Sequence, residues 1–139
     1  MDTKRFLTGT IVGGIVLYLV GYLIFSMAFA SFYAANTGSA TGVDRASEVM
    51  WAVVLGAFAY AALICYAMGR RGVMGLGEGF KVGAIVGFLL WMCADFTLYG
   101  VENVSNLTRT VVDPLLEVVH GGIGGAVIAL VASRTDPAP

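Results

Sequence analysis

The sequence predicts an all-α integral membrane protein of four transmembrane helices, built as a duplicated helix hairpin with both termini in the cytoplasm. Three observations lead there. Of 139 residues, 58% are hydrophobic and only 12% are charged, against about 25% charged residues in an ordinary soluble domain. Four apolar stretches, at 6–33, 46–68, 80–99 and 114–132, each come near the ~20 residues that a helix needs to cross a bilayer. They are continuously apolar and do not alternate, so helices are expected rather than a barrel. The two halves of the chain, 6–68 and 80–132, also match each other at an offset of 69–70 residues.

The first stretch follows Lys4 and Arg5 and contains Ala28-Phe29-Ala30, which imitates a signal peptide and its cleavage site. Its apolar run exceeds the 7–15 residues of such a segment, so a retained membrane helix is expected. The second stretch opens near Asp44 and Glu48, and the fourth opens at Asp113-Pro114 with Glu117 just inside. An acid before a proline reads as an N-cap followed by the first helical position. Asp44, Glu48 and Asp113 are therefore expected at helix starts, where the helix dipole favours negative charge.

The connections carry orientation. With a cytoplasmic N-terminus, Lys4, Arg5, Arg70, Arg71, Lys81 and Arg134 lie inside and only Arg45 and Arg109 outside, as the positive-inside rule requires. Loops 34–45 and 100–113 then face out, and the glycine-punctuated loop at 69–79 places its arginines at the cytoplasmic headgroups. Asn103-Val104-Ser105 and Asn106-Leu107-Thr108 match the N-glycosylation pattern, but the pattern is short and nothing else suggests a eukaryotic secretory protein, so a plain polar turn is expected.

The repeat sorts the polar residues. Thr41, Val43, Asp44, Glu48, Val49, Gly56 and Ala57 match Thr110, Val112, Asp113, Glu117, Val118, Gly125 and Ala126, while Gly13, Ile15, Val16, Leu19 and Asn36 match Gly83, Ile85, Val86, Leu89 and Asn106. A pseudo-two-fold axis along the membrane normal would relate such halves. Of the residues that occur in one half only, two stand out: Asp95 stands where the first half has Phe25, and His120 where it has Trp51. Both lie roughly 7–9 Å inside the outer membrane face by helical rise, so Asp95, Glu117 and His120 are expected to form one outer-leaflet polar cluster. An ionisable group at that depth must pair or meet water. The cluster is then either a cross-helix hydrogen bond or a site for a proton, ion or small solute.

Nineteen glycines need a reason. Gly79, Gly83 and Gly87 line one face of the third stretch, and Gly121 and Gly125 line the fourth; small residues at this spacing let helix backbones approach closely in lipid. Glu117-Val118-Val119-His120 has the Glu-x-x-His form of di-iron bundles, but its counterpart Glu48-Val49-Met50-Trp51 lacks the histidine, so no metal site is expected. Cys65 and Cys93 read as small buried residues too far apart to bridge.

A resemblance adds context. Gly13-Gly14-Ile15-Val16, the 32–43 segment, Gly83-Ala84-Ile85-Val86-Gly87-Phe88, Asn106-Leu107-Thr108 with Val112-Asp113-Pro114, and the glycine-rich end of the fourth stretch resemble a group of small four-helix bacterial inner-membrane proteins. That resemblance implies a multi-pass inner-membrane protein and supplies no catalytic residues. With a net charge of −1 there is no basic footprint for nucleic acid, and no phosphate loop or nucleophile elbow occurs. The expected function is non-enzymatic and without a cofactor: helix packing in the lipid bilayer, as a homo-oligomer or an accessory subunit. The alternative is a small carrier or channel for protons, cations or a small solute, using Asp95, Glu117 and His120.

Overall fold

In a computed structural model, which describes residues 2–69 and 75–134, the chain is all-helical, with four helices long and apolar enough to cross a membrane. Helix α1, Thr3–Gly21, starts on Asp2, whose carboxylate accepts from the Arg5 amide at 2.9 Å. That bond stabilises the charged carboxylate and holds Asp2 below the usual carboxylate range. The helix continues into a wider π-helical segment, Tyr22–Ala28, marked by the Phe29 amide donating five residues back to Ile24 at 2.8 Å. After a break at Phe29 comes the short α2, Ala30–Ala35. The first apolar stretch is therefore three pieces and not one continuous helix. Then follow α3, Met50–Gly69, α4, Leu76–Val101, and α5, Leu107–Arg134.

The helix faces are sorted, with rows of large apolar residues outside and most of the helix glycines inside. Leu7, Ile11, Ile15 and Leu19 recur every four residues on the exposed face of α1, while Gly9, Gly13, Gly14 and Leu17 are buried. On α5, Leu107, Val111, Leu115 and Val119 are exposed, opposite buried Gly121, Gly124, Gly125 and Ile128. An apolar surface costs nothing against hydrocarbon, so close packing rather than water exclusion must hold the helices together.

Helix α5 is the hub. It packs along α4 and against α1, and α1 also packs along α3. The interior of the bundle is Leu17, Tyr60, Ala61, Ile64, Cys65, Met68, Val82, Ile128 and Ala129. A methyl group added at Gly121 would lie 2.5 Å from the Gly83 carbonyl oxygen, and one at Gly83 would lie 2.9 Å from the Gly125 Cα. Gly79 meets the Gly125 backbone in the same way, and Gly87 meets that of Glu117. The α4–α5 seam is thus backbone against backbone. Gly9, Gly13 and Gly14 instead receive Cys65, Ile128 and Phe58 side chains.

The helix starts differ from those the sequence suggests. Asp113 and Pro114 lie inside α5, which begins seven residues before Pro114 at Leu107. The cap is Asn106: its Oδ1 accepts from the Arg109 amide at 2.9 Å, and its carbonyl accepts from the Thr110 amide and hydroxyl. Asp44 and Glu48 are exposed in irregular chain before α3, which starts only at Met50. Residues matching at offset 69 therefore fold differently in the two halves, for a local reason. The Gly38 and Ala40 amides donate to the Val104 and Asn103 carbonyls, which takes them out of any helix, and Gly42 has φ +69°. Residues 107–112 contain no glycine, and that half winds straight into α5. Cys93 is exposed rather than buried; Cys65 is buried, and both are free thiols. Arg70 and Arg71, on which part of the orientation argument rests, lie outside the described residues.

Candidate functional site: a buried Glu117–His120–Tyr60 cluster

Glu117 and His120 stand one turn apart on α5, on the face turned toward α1 and α3. Three- and four-residue spacings share a helix face, and both residues are almost fully buried. His120 Nδ1 lies 2.9 Å from Glu117 Oε2, and Tyr60 of α3 donates its hydroxyl to the same oxygen at 3.2 Å. His120 Nε2 reaches the Leu17 carbonyl oxygen of α1 at 2.8 Å. Three helices are therefore joined through one polar cluster.

The tautomer follows from chemistry. A carbonyl oxygen only accepts, so Nε2 must carry a proton, and the contact between Nδ1 and Oε2 needs one more. Without that proton two lone pairs would face each other in a dry interior. With it, the pair is neutral overall, either as imidazolium and carboxylate or as imidazole and carboxylic acid.

Glycines give the cluster room. A Cβ at Gly21, the fourth residue after Leu17, would lie 3.2 Å from His120 Nε2, so glycine there opens the way to the Leu17 carbonyl. Gly87 and Gly121 leave space for the Tyr60 hydroxyl. The rings of Phe25 and Tyr60 meet the imidazole edge-on, at 5.5 and 5.7 Å between centroids.

A second polar group lies outward along α5. Tyr33 of α2 donates its hydroxyl to Asp113 Oδ1, stands edge-on to Phe25, and carries the Arg109 guanidinium 4.9 Å above its ring. Beyond it, Asn106 Nδ2 donates to Asn36 Oδ1 at 3.0 Å, and Thr37 pairs with Ser105. The Asn106 side chain is thus used twice within the fold.

Of the three residues expected together, Glu117 and His120 meet and Asp95 does not join them. Asp95 is close enough to Arg109 and Glu117 for their charges to act on it, yet its Oδ2 is buried with no hydrogen-bond partner. Trp91 Nε1, one turn before it on α4, is likewise unpartnered. Tyr60, which by sequence suits an interfacial belt or packing, is the unexpected member. Its signal was depth: a tyrosine at the eleventh of twenty residues in a spanning helix lies far from either interface, and a buried hydroxyl needs a partner. The Leu17 carbonyl and the Gly21 opening have no sequence signature. Among the described residues, no group of three or more His, Cys, Asp or Glu side chains could hold a metal ion. No protein-family model, curated protein or solved structure matches the chain.

Proposed function

We propose that this is a non-enzymatic, multi-pass protein of a bacterial inner membrane that acts through helix packing, as a homo-oligomer or an accessory subunit of a membrane complex. The observation that carries this reading is a contrast between glycine faces. The glycines of the α4–α5 seam are used up within the bundle, and the two open glycines of α4, Gly77 and Gly100, lie at its ends, whereas Gly56 inside α3 has nothing within 4 Å. Ala52, Gly56, Ala59 and Leu63 form an exposed face at helical spacing, the kind of small-residue surface on which membrane helices associate. Among the described residues, the chain outside the four spans is α2 and the irregular segments that join the helices.

Both termini are assigned to the cytoplasm because Lys4, Arg5, Lys81 and Arg134, together with Arg70 and Arg71, then lie inside. Descent from a duplicated hairpin is supported by Asn36 and Asn106, which match at offset 70 and bond to each other, as residues close to a two-fold axis would. The different folds of 41–49 and 110–118 are then divergence between the halves.

The test is the state of the full-length protein in native membranes. Crosslinking with a short lipid-soluble reagent should give a discrete adduct, at twice the chain mass for a homo-oligomer or larger with a partner. A strict monomer with no adduct at any reagent concentration would overturn the reading.

A further inference from the structure

The polar groups on α5 form a line rather than a scatter. Arg109, Asp113 and Glu117 recur at four-residue spacing, which stacks them on one face, and His120 follows one turn deeper. The other elements contribute Tyr33 from α2, Tyr60 from α3 and the Leu17 carbonyl from α1, and Asp95 of α4 lies within reach of the Arg109 and Glu117 charges. The line begins beside the loop of residues 102–106 and ends at His120. Inward of His120 the bundle is closed by Ala61, Ile64, Ile128 and Ala129, all nearly inaccessible, with Gly124 filled by Leu17.

We propose that Glu117 and His120 form a one-sided proton-binding site, loaded and emptied through Asp113 from the solution on the side of the 102–106 loop. This goes beyond the packing role and stands without it. The ligand is a single proton. Asp113 takes it from water as its carboxylate becomes a carboxylic acid, then releases it to the Glu117–His120 pair and returns to carboxylate. Neighbouring side chains on a helix face stand about 5–6 Å apart at Cβ, a gap that one bridging water spans. Tyr33 holds the Asp113 carboxyl in line by its hydrogen bond, and Arg109 lies over the ring of Tyr33. The apolar floor makes the line a dead end, so the proton leaves by the way it entered. The site binds a proton but does not conduct it.

The chain has one histidine, so 15N-histidine labelling of full-length protein, purified on a tag without histidine and placed in phosphatidylethanolamine/phosphatidylglycerol nanodiscs, reports on His120 alone. Nε2 should be protonated, with Nδ1 showing the shift of a nitrogen that shares its proton. Asp113→Asn keeps an acceptor for Tyr33 and should slow exchange of the Nδ1 proton with water at least tenfold, with both nitrogen shifts unchanged. Tyr33→Phe should slow it less, and tests the line independently if the Asp113 variant folds poorly. Exchange within twofold of the wild type in both variants would overturn the proposal, as would a bare Nε2. In proteoliposomes under a pH gradient, proton flux should equal that of empty vesicles, and sustained flux would contradict the dead end. The oligomer measurement above is independent of all these outcomes.

Discussion

Replacing Gly121 by alanine tests the seam on which the bundle is built. The added Cβ would stand 2.5 Å from the Gly83 carbonyl oxygen and 2.5 Å from the Tyr60 hydroxyl. Ordinary contact begins near 3.4 Å, so α4 and α5 must part by about 0.9 Å or the tyrosine must leave. A gap of 0.5–1 Å forfeits a quarter to a half of each dispersion contact, and dispersion is the main attraction available between helices in lipid. Overpacking of this kind costs ~1–3 kcal/mol, and loss of the Tyr60–Glu117 bond adds ~0.6–1.7 kcal/mol on the scale of membrane hydrogen bonds. A total of about 2–5 kcal/mol is expected, a large share of the ~5–15 kcal/mol that stabilises a typical protein. Equilibrium unfolding by SDS in mixed micelles, followed by the fluorescence of Trp51 and Trp91, measures it. Gly77→Ala is the paired control, because a methyl group there meets nothing within 4 Å, and it should stay within ~0.5 kcal/mol of the wild type. If both variants matched the wild type, the backbone contact between α4 and α5 would be wrong.

Other consequences concern single groups. Tyr60→Phe should lower stability by ~0.6–1.7 kcal/mol in the same titration, whereas Tyr22→Phe, on an exposed side chain, should change it by less than ~0.5 kcal/mol. Asn106→Ala removes the cap of α5 and the bond to Asn36, so amide exchange should accelerate at Arg109 and Thr110 and remain unchanged at Ile128. At the N-terminus, Asp2 is depressed when folded because the Arg5 amide donates to its carboxylate. Its contribution is therefore complete above the ordinary carboxylate range and is lost as pH falls through the depressed value. Protection of the Arg5 amide should decline over that acid window, and Asp2→Ala should abolish the pH dependence.

The four spans were legible because a continuous apolar run has one physical outlet, a helix in lipid. Helix starts were not, since polar residues next to a span suit a cap or a coil equally. Asp113-Pro114 looks like a beginning, but a proline also fits within a helix when residues upstream supply a stronger cap, as Asn106 does with its side chain and carbonyl. Asp44 and Glu48 repeat the pattern in sequence but not in structure, because the 38–40 backbone is bonded to the 102–106 loop. The pairing of Glu117 with His120 was readable from their three-residue spacing. The absence of Asp95 from that pair was not, because the angular setting of α4 around α5 depends on glycine contacts that spacing alone does not define. Tyr60 and Gly21 complete the cluster from two other helices, and only tertiary packing brings them there.

The central claim is that the bundle is sealed on its α4–α5 side and open on α3. Single cysteines introduced at Ala52, Gly56 and Ala59, with Ile15 of α1 as the lipid-facing control, test it by oxidative crosslinking in native membranes. Cys93 is replaced by serine because it is exposed, and Cys65 is left in the interior. The account predicts disulfide-linked adducts at the three α3 positions and none at Ile15. No adduct on α3, or equal yields at Ile15, would contradict it.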